Sequence, residues 1–281
     1  MATTPAPGAA PAAASRAGRN LPLAIGVGVS LVILILLSLL SPLAFTVLVA
    51  VALGVAAWEL CTALAAGDIR VPLVPVLLGG TAMYAATYAA GTDGLVIGLA
   101  LSVIAVLVWR LFDGADGYLR DVSGGLFVLG YLPLLAGFAV LMVTQDQGVE
   151  RIVTFILVVV ASDVGGYALG VLFGKHPMAP RISPKKSWEG FGGSVLFCAV
   201  AGAIALPLLL EAPWWQGLLL GLALVCTAVL GDLCESMVKR DLGVKDMGNL
   251  LPGHGGLMDR LDSLLLSAPV AWLLLSVFVG L

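Results

Sequence analysis

Three short stretches of the chain carry side chains able to do chemistry on phosphate. The first runs GDLCESMVKR, where Asp232, Glu235, Ser236 and Lys239 follow i, i+3, i+4, i+7 spacing and so share one helix face. The second follows at once. Lys239, Arg240 and Lys245 precede Pro252, Gly253, His254, Gly255 and Gly256, and Asp259 and Asp262 stand one helical turn apart beyond them. The cations suit phosphate, and the glycines let backbone approach a ligand. The third, GKHPMAPRISPKKSWEGFGG, sets Arg181, Ser183, Lys185 and Lys186 on a segment shaped by Pro177, Pro180 and Pro184. Asp163 and Tyr167, one turn apart, lie inside an apolar run, where an acid needs a partner, a cation or water. If Asp232, Asp259 and Asp262 converge, they form an all-oxygen site that favours Mg²⁺ over zinc. Basic loops beside such a site point to phosphoryl or nucleotidyl transfer.

These residues must be positioned inside a membrane. The 281-residue chain is 60% hydrophobic and 11% charged, against about 25% charge in a soluble domain. The expected fold is an all-α polytopic membrane protein. Hydropathy gives about nine spans, near 21–40, 43–65, 71–90, 94–111, 123–144, 151–173, 191–210, 214–236 and 262–280. Residues 1–20, rich in Ala and Pro, read as a disordered cytoplasmic tail. With that tail inside, every Lys and Arg except Arg151 falls on the cytoplasmic side, in the tail or in loops near 66–70, 110–121, 174–190 and 237–261. The C-terminus is then outside. Residues 21–150 form an N-terminal group of spans, a scaffold with a possible homodimer contact, and 151–281 the catalytic region. The net charge of −3 gives no reason to expect nucleic acid. The four cysteines form no CxxC pair and read as small buried thiols.

The pattern Ser236-x2-Lys239-Arg240-x4-Lys245-Asp246-x-Gly248-x2-Leu251-Pro252-x-His254-Gly255-Gly256-x2-Asp259-Arg260-x-Asp262 resembles the signature of the phosphatidate cytidylyltransferase (CDP-diacylglycerol synthase) family. SPKKSWEG resembles a second family stretch, with Ser187 where Thr is more familiar. Asp163-Val-Gly-Gly-Tyr167 resembles Asp-x-x-Ala-Tyr, with Gly166 in place of Ala. The motifs cover about 160–265. The resemblance implies transfer of CMP from CTP to phosphatidate at the cytoplasmic face of a bacterial plasma membrane. It also implies Mg²⁺, with a place for a monovalent cation such as K⁺. It implies Asp232, Asp259, Asp262, His254 and Lys239 as catalytic groups, the three aspartates holding metal. Arg181, Ser183, Lys185, Lys186, Ser187, Glu189, Ser236, Arg240, Lys245, Arg260, Asp163 and Tyr167 would bind substrate. His254 would either hydrogen-bond a phosphate or assist the leaving pyrophosphate.

Asp113-Gly-Ala-Asp116-Gly117 superficially fits the Asp-x-x-Asp-Gly of CDP-alcohol phosphotransferases, but Leu119 stands where Ala belongs and the rest of that motif is missing. A solvated interfacial loop is the expected reading there.

Overall fold

The computed structural model describes residues 21–248, 250 and 255–280, with the side chains of 21–25 excepted. The 1–20 tail and His254 lie outside the described residues. The chain is helical almost throughout: α1 (Leu21–Ser38), α2 (Pro42–Ala66), α3 (Leu73–Leu111), α4 (Tyr118–Leu129), α5 (Leu135–Val143), α6 (Gly148–Phe173), α7 (Trp188–Leu210), α8 (Trp214–Asp241) and α9 (Met258–Val279). Helices satisfy their own backbone, as lipid demands. Among the described residues, seven segments are long and apolar enough to cross a membrane, α4 and α5 counting as one. A π-helical turn over Gly130–Leu134 joins α4 to α5. It contains Pro133, which has no N–H to give the helix ladder.

α3 is two helices folded back on each other. Ala90 and Gly91 leave helical geometry, and Gly91 takes φ +59°, which glycine adopts without penalty. The two arms then lie so close that a Cβ on Gly98 would sit 2.8 Å from the Cα of Met83. The sequence boundary between 71–90 and 94–111 coincides with this reversal.

Two expectations needed correction. The fold is not wholly α, because the proline-shaped 174–190 loop holds a strand pair: β1 (Pro177–Ala179) pairs antiparallel with β2 (Ser183–Ser187), Pro177 opposite Ser187 and Ala179 opposite Ser183. The fold is therefore helical with one small hairpin. Among the cysteines, Cys61 and Cys198 are buried, but Cys226 and Cys234 are exposed on α8.

Small residues set the spacing of α6, α7, α8 and α9, as is usual where lipid cannot drive helices together. A Cβ on Gly165 would lie 2.5 Å from the Gly193 carbonyl, and Gly202 and Gly217 abut backbone to backbone. Ser194 Oγ donates to the Ser162 carbonyl at 2.7 Å across α6 and α7. The Thr227 and Ser267 hydroxyls meet at 3.0 Å across α8 and α9. At the end away from the hairpin, the buried Arg151 donates to the Asp146 carbonyl at 2.9 Å and the Gly280 carbonyl at 2.6 Å. That ties the start of α6 to the end of α9, where a cation also meets the negative helix terminus.

The 113–121 loop is wound round one arginine. Arg110 donates to Asp121 Oδ2 from Nε and Nη2 and to the carbonyls of Gly114 and Asp116, while Asp121 Oδ1 accepts the Arg70 N–H at 2.9 Å. Asp113 and Asp116 themselves remain exposed.

Gly202→Leu is expected to force α7 and α8 apart and cost about 1–3 kcal/mol. A lower melting temperature in detergent than that of wild type is the expected reading. An unchanged melting temperature would contradict the close backbone contact.

Candidate active site

The β hairpin closes over the ends of α6, α7 and α8 and leaves a cavity of about 310 Å³. Its wall combines Asp163, Tyr167, Lys185, Lys186 and Asp232 with the hydroxyls of Ser162, Ser183, Ser187, Ser194 and Ser263. Each element brings its residue for a local reason. Ser187 caps α7 by accepting the Gly190 N–H at 3.1 Å, which fixes where the strand ends and the helix begins. Gly190 and Gly170 permit α6 and α7 to close beneath the hairpin. Glu189 points back to the hairpin: it accepts the N–H groups of Lys175 and His176 at 3.1 and 3.2 Å and meets His176 Nδ1 at 2.5 Å. Glu189 thus serves the hairpin's shape rather than the cavity wall. Arg240 Nε donates to the Ile182 carbonyl at 3.2 Å, tying α8 to the hairpin.

Two lysines link the acids. Lys186 Nζ stands 2.6 Å from Asp232 Oδ2, and Asp232 Oδ1 accepts from the Ser236 hydroxyl at 3.3 Å. Lys239 Nζ stands 2.5 Å from Glu235 Oε2 and 2.8 Å from Asp259 Oδ1, joining α8 to α9. The side chains of Lys239, Glu235 and Asp259 are only 17%, 1% and 9% exposed, so this cluster is shielded from water. Gly231 makes room for it, because a Cβ there would strike the Asp262 carbonyl. α8 runs on to Asp241, past the expected end at 236, so Lys239 and Arg240 are helical residues. α9 starts at Met258, so Asp259 and Asp262 occupy its first turns.

The site residues named from sequence fall into distinct places. Asp163, Tyr167, Ser183, Lys185, Lys186, Ser187 and Asp232 share the cavity. Arg181, Lys245 and Arg260 are exposed at the same end of the bundle. Asp259 has both oxygens engaged, since Oδ2 accepts the N–H groups of Met247 and Gly256 at 3.2 and 3.0 Å. Asp262 Oδ1 accepts the Ser263 N–H at 2.7 Å, and Oδ2 has no hydrogen bond among those described. Among the described residues, no three carboxylate, imidazole or thiolate groups lie close enough to cage a metal. Magnesium does not require such a cage, because it commonly uses one or two carboxylates plus substrate phosphate. Asp163 and Asp232 line the cavity, and Asp262 adjoins Ser263 of the same wall. Asp232 with substrate phosphate is therefore the carboxylate a divalent cation could use there, while Asp259 is taken up by Lys239.

Sequence reasoning passed over Glu59 on α2. It is 2% exposed, and its Oε2 accepts the Met258 N–H at 3.0 Å. A lone acid inside the apolar run 43–65 was the available signal.

The model of the cytidylyltransferase family matches residues 23–278. A Mycobacterium leprae protein named phosphatidate cytidylyltransferase is 45% identical over 278 residues, covering 93% of this chain and 89% of the relative. A Mycobacterium tuberculosis protein of the same name is 46% identical over 248 residues, 84% of this chain and 76% of the relative. One from Brucella suis is 37% identical over 186 residues, 66% of each. The similarity thus extends well beyond the motif-bearing 160–265 and takes in the N-terminal spans.

Lys239→Met strands Glu235 and Asp259 without their shared cation, a loss of about 3 kcal/mol for a shielded pair. Its melting temperature in detergent should fall, and adding Glu235→Gln should recover most of the loss. A Lys239→Met protein as stable as wild type would contradict the bridge.

Proposed function

The chain belongs to the cytidylyltransferase family, and from that premise we propose that it transfers CMP from CTP to phosphatidate, giving CDP-diacylglycerol and pyrophosphate. The observation that carries this reading is the cavity under the hairpin. It sets Lys185 and Lys186 above Asp163 and Asp232 at the ends of membrane-spanning helices. A lipid phosphate lies at that depth, and a nucleotide triphosphate reaches it from water.

In the reaction, an anionic phosphate oxygen of phosphatidate forms a bond to the α-phosphorus of CTP. The bond from that phosphorus to the oxygen bridging the β-phosphorus breaks, and this oxygen departs with pyrophosphate. No proton need be removed from the nucleophile, so no strong general base is required. The protein's task is to hold several negative charges in line. Lys185 and Lys186, with Arg181, Arg240, Lys245 and Arg260 nearby, would bind the phosphates. Ser183, Ser236 and Tyr167 offer hydroxyls to the same groups. Ser187 borders the same cavity while capping α7, Glu189 shapes the hairpin, and His254 would hydrogen-bond a phosphate or assist the leaving pyrophosphate. Asp232 and Asp262 would hold Mg²⁺, with Asp259 beside them and a monovalent cation such as K⁺ adjoining. When bound, the divalent ion offsets charge between two anionic reactants.

The same proposal includes nine spans, formed by α1, α2, the two arms of α3, α4 with α5, and α6 to α9. The N-terminus and the hairpin end are cytoplasmic and the C-terminus outside, in a bacterial plasma membrane. The lysine and arginine distribution supports this sidedness, as does the burial of Arg151, the one cation assigned outside. A homodimer through the N-terminal spans completes it.

Purified protein in detergent, given CTP, phosphatidate and Mg²⁺, should release pyrophosphate and form CDP-diacylglycerol. Asp262→Asn should lower turnover about a hundredfold or more. Asp113→Asn, on the Arg110 loop, should stay within about twofold of wild type. Absence of product from wild-type protein would overturn the reading, and a fully active Asp262→Asn would remove that residue from the site.

A further inference from the structure

Glu59 has no place in the chemistry described so far, yet it is among the most enclosed acids in the chain. Its carboxylate leaves α2, crosses to the far end of the sequence and accepts the N–H of Met258, the first residue of α9. Gly248 and Gly256 make room for it. A Cβ on Gly256 would lie 2.9 Å from Glu59 Oε2 and 2.9 Å from Asp259 Oδ2, and one on Gly248 would collide with the Glu59 carboxylate. Glu59 and Asp259 therefore grip the same turn of backbone. Asp259 takes the N–H groups of Met247 and Gly256, and Glu59 takes that of Met258. The end of α2 meets this segment again at Gly67, where a Cβ would sit 2.9 Å from Leu242 Cδ2.

α9 has no side-chain cap of its own, because Leu257 occupies that position. A helix start needs acceptors for its first N–H groups, and a carboxylate also suits its positive end. Glu59 supplies both from another span. Its Oε1 has no hydrogen-bond partner among the described residues. The first turns of α9 carry Asp259 and Asp262, so the angle and depth of that helix start decide where both carboxylates stand.

We propose that Glu59 is a positioning residue: by capping α9 from α2, it sets the placement of Asp259 and Asp262 for turnover. The N-terminal spans thereby take part in catalysis rather than only supporting it. This inference rests on the function proposed above. A misplacement of about 1 Å in a reacting group costs on the order of a hundredfold in rate. Lys185, Lys186 and Arg181 lie on the hairpin, apart from α9, so substrate capture should suffer less than turnover, although Arg260 and Lys245 adjoin the capped turn.

The test compares Glu59→Gln, Glu59→Asp and Glu59→Ala with wild type, each normalised to folded protein by size exclusion. Gln keeps an acceptor at the same reach, whereas Asp keeps the charge but falls short by one methylene. Expected is a roughly 10- to 100-fold fall in kcat for Asp and Ala, clearly larger than any change in KM for CTP. Gln should remain within about fivefold of wild type, the worth of one net hydrogen bond. A kcat for Glu59→Asp equal to wild type, or a loss that disappears on normalisation, overturns the proposal. Should Glu59→Ala not fold, the Gln and Asp pair decides alone. Amide hydrogen exchange at Met258 gives a readout free of activity. It should quicken in Asp and Ala but not in Gln, and unchanged exchange in Glu59→Asp also overturns the proposal. Wild-type protein that makes no CDP-diacylglycerol would instead defeat the functional reading, and the exchange data would still judge Glu59.

Discussion

The ammonium of Lys239, held between Glu235 on its own helix and Asp259 on the next, fixes the geometry at the hairpin end of the bundle. Two carboxylates this shielded would repel each other and resist ionisation without a cation between them. With Lys239 in place, α8 and α9 can meet at the bare backbone of Gly231 beside Asp262, whose neighbour Ser263 lines the cavity. Asp259, spent on Lys239 and on two backbone N–H groups, works as the hinge pin of this arrangement. Asp232, one turn before Glu235, turns the other way and meets Lys186 from the hairpin. One helix face thus serves two lysines, one structural and one open to a ligand.

The membrane makes this arrangement both costly and useful. Lipid offers the helices no hydrophobic reason to associate, so glycines and serines bring α6, α7 and α8 within backbone contact. That close packing leaves little flexibility beneath the cavity, and the site's cations sit on a short strand pair instead of a loose loop. In the proposed function, a phosphate-bearing lipid would need to move only sideways to reach Lys185 and Lys186, and the nucleotide would come from the aqueous side of the same hairpin. Electrostatic groups at such a boundary act in a lower dielectric than water provides, which strengthens their hold on transferring charge.

Much of this was legible in the sequence, for identifiable reasons. Runs of about 20 apolar residues announce spans directly, and the break at Ala90 and Gly91 is visible as a Gly-Thr-Asp-Gly interruption. The shared face of Asp232, Glu235, Ser236 and Lys239 follows from helical spacing alone. Partner choice does not. Nothing in the order of residues says that Lys239 takes Asp259 while Lys186 takes Asp232, because those pairs form across helices. The strand pair was hidden because three prolines marked only a shaped, non-helical loop, yet Pro177 and Pro184 fit its strands. Glu59 was missed because its partner lies 199 positions away in the chain. Ser187 and Glu189 were assigned to substrate by their motif; Ser187 lines the cavity while also capping α7, and Glu189 bonds the hairpin backbone.

The account stands on CMP being handed to a lipid phosphate at this one site. The most direct measurement places label at different phosphates of CTP and follows it into the lipid fraction made by purified protein. Label in the α-phosphate should appear in the lipid product, while label in the γ-phosphate should leave entirely with pyrophosphate. Lipid carrying the γ-label, or α-label that never enters lipid, would contradict cytidylyl transfer.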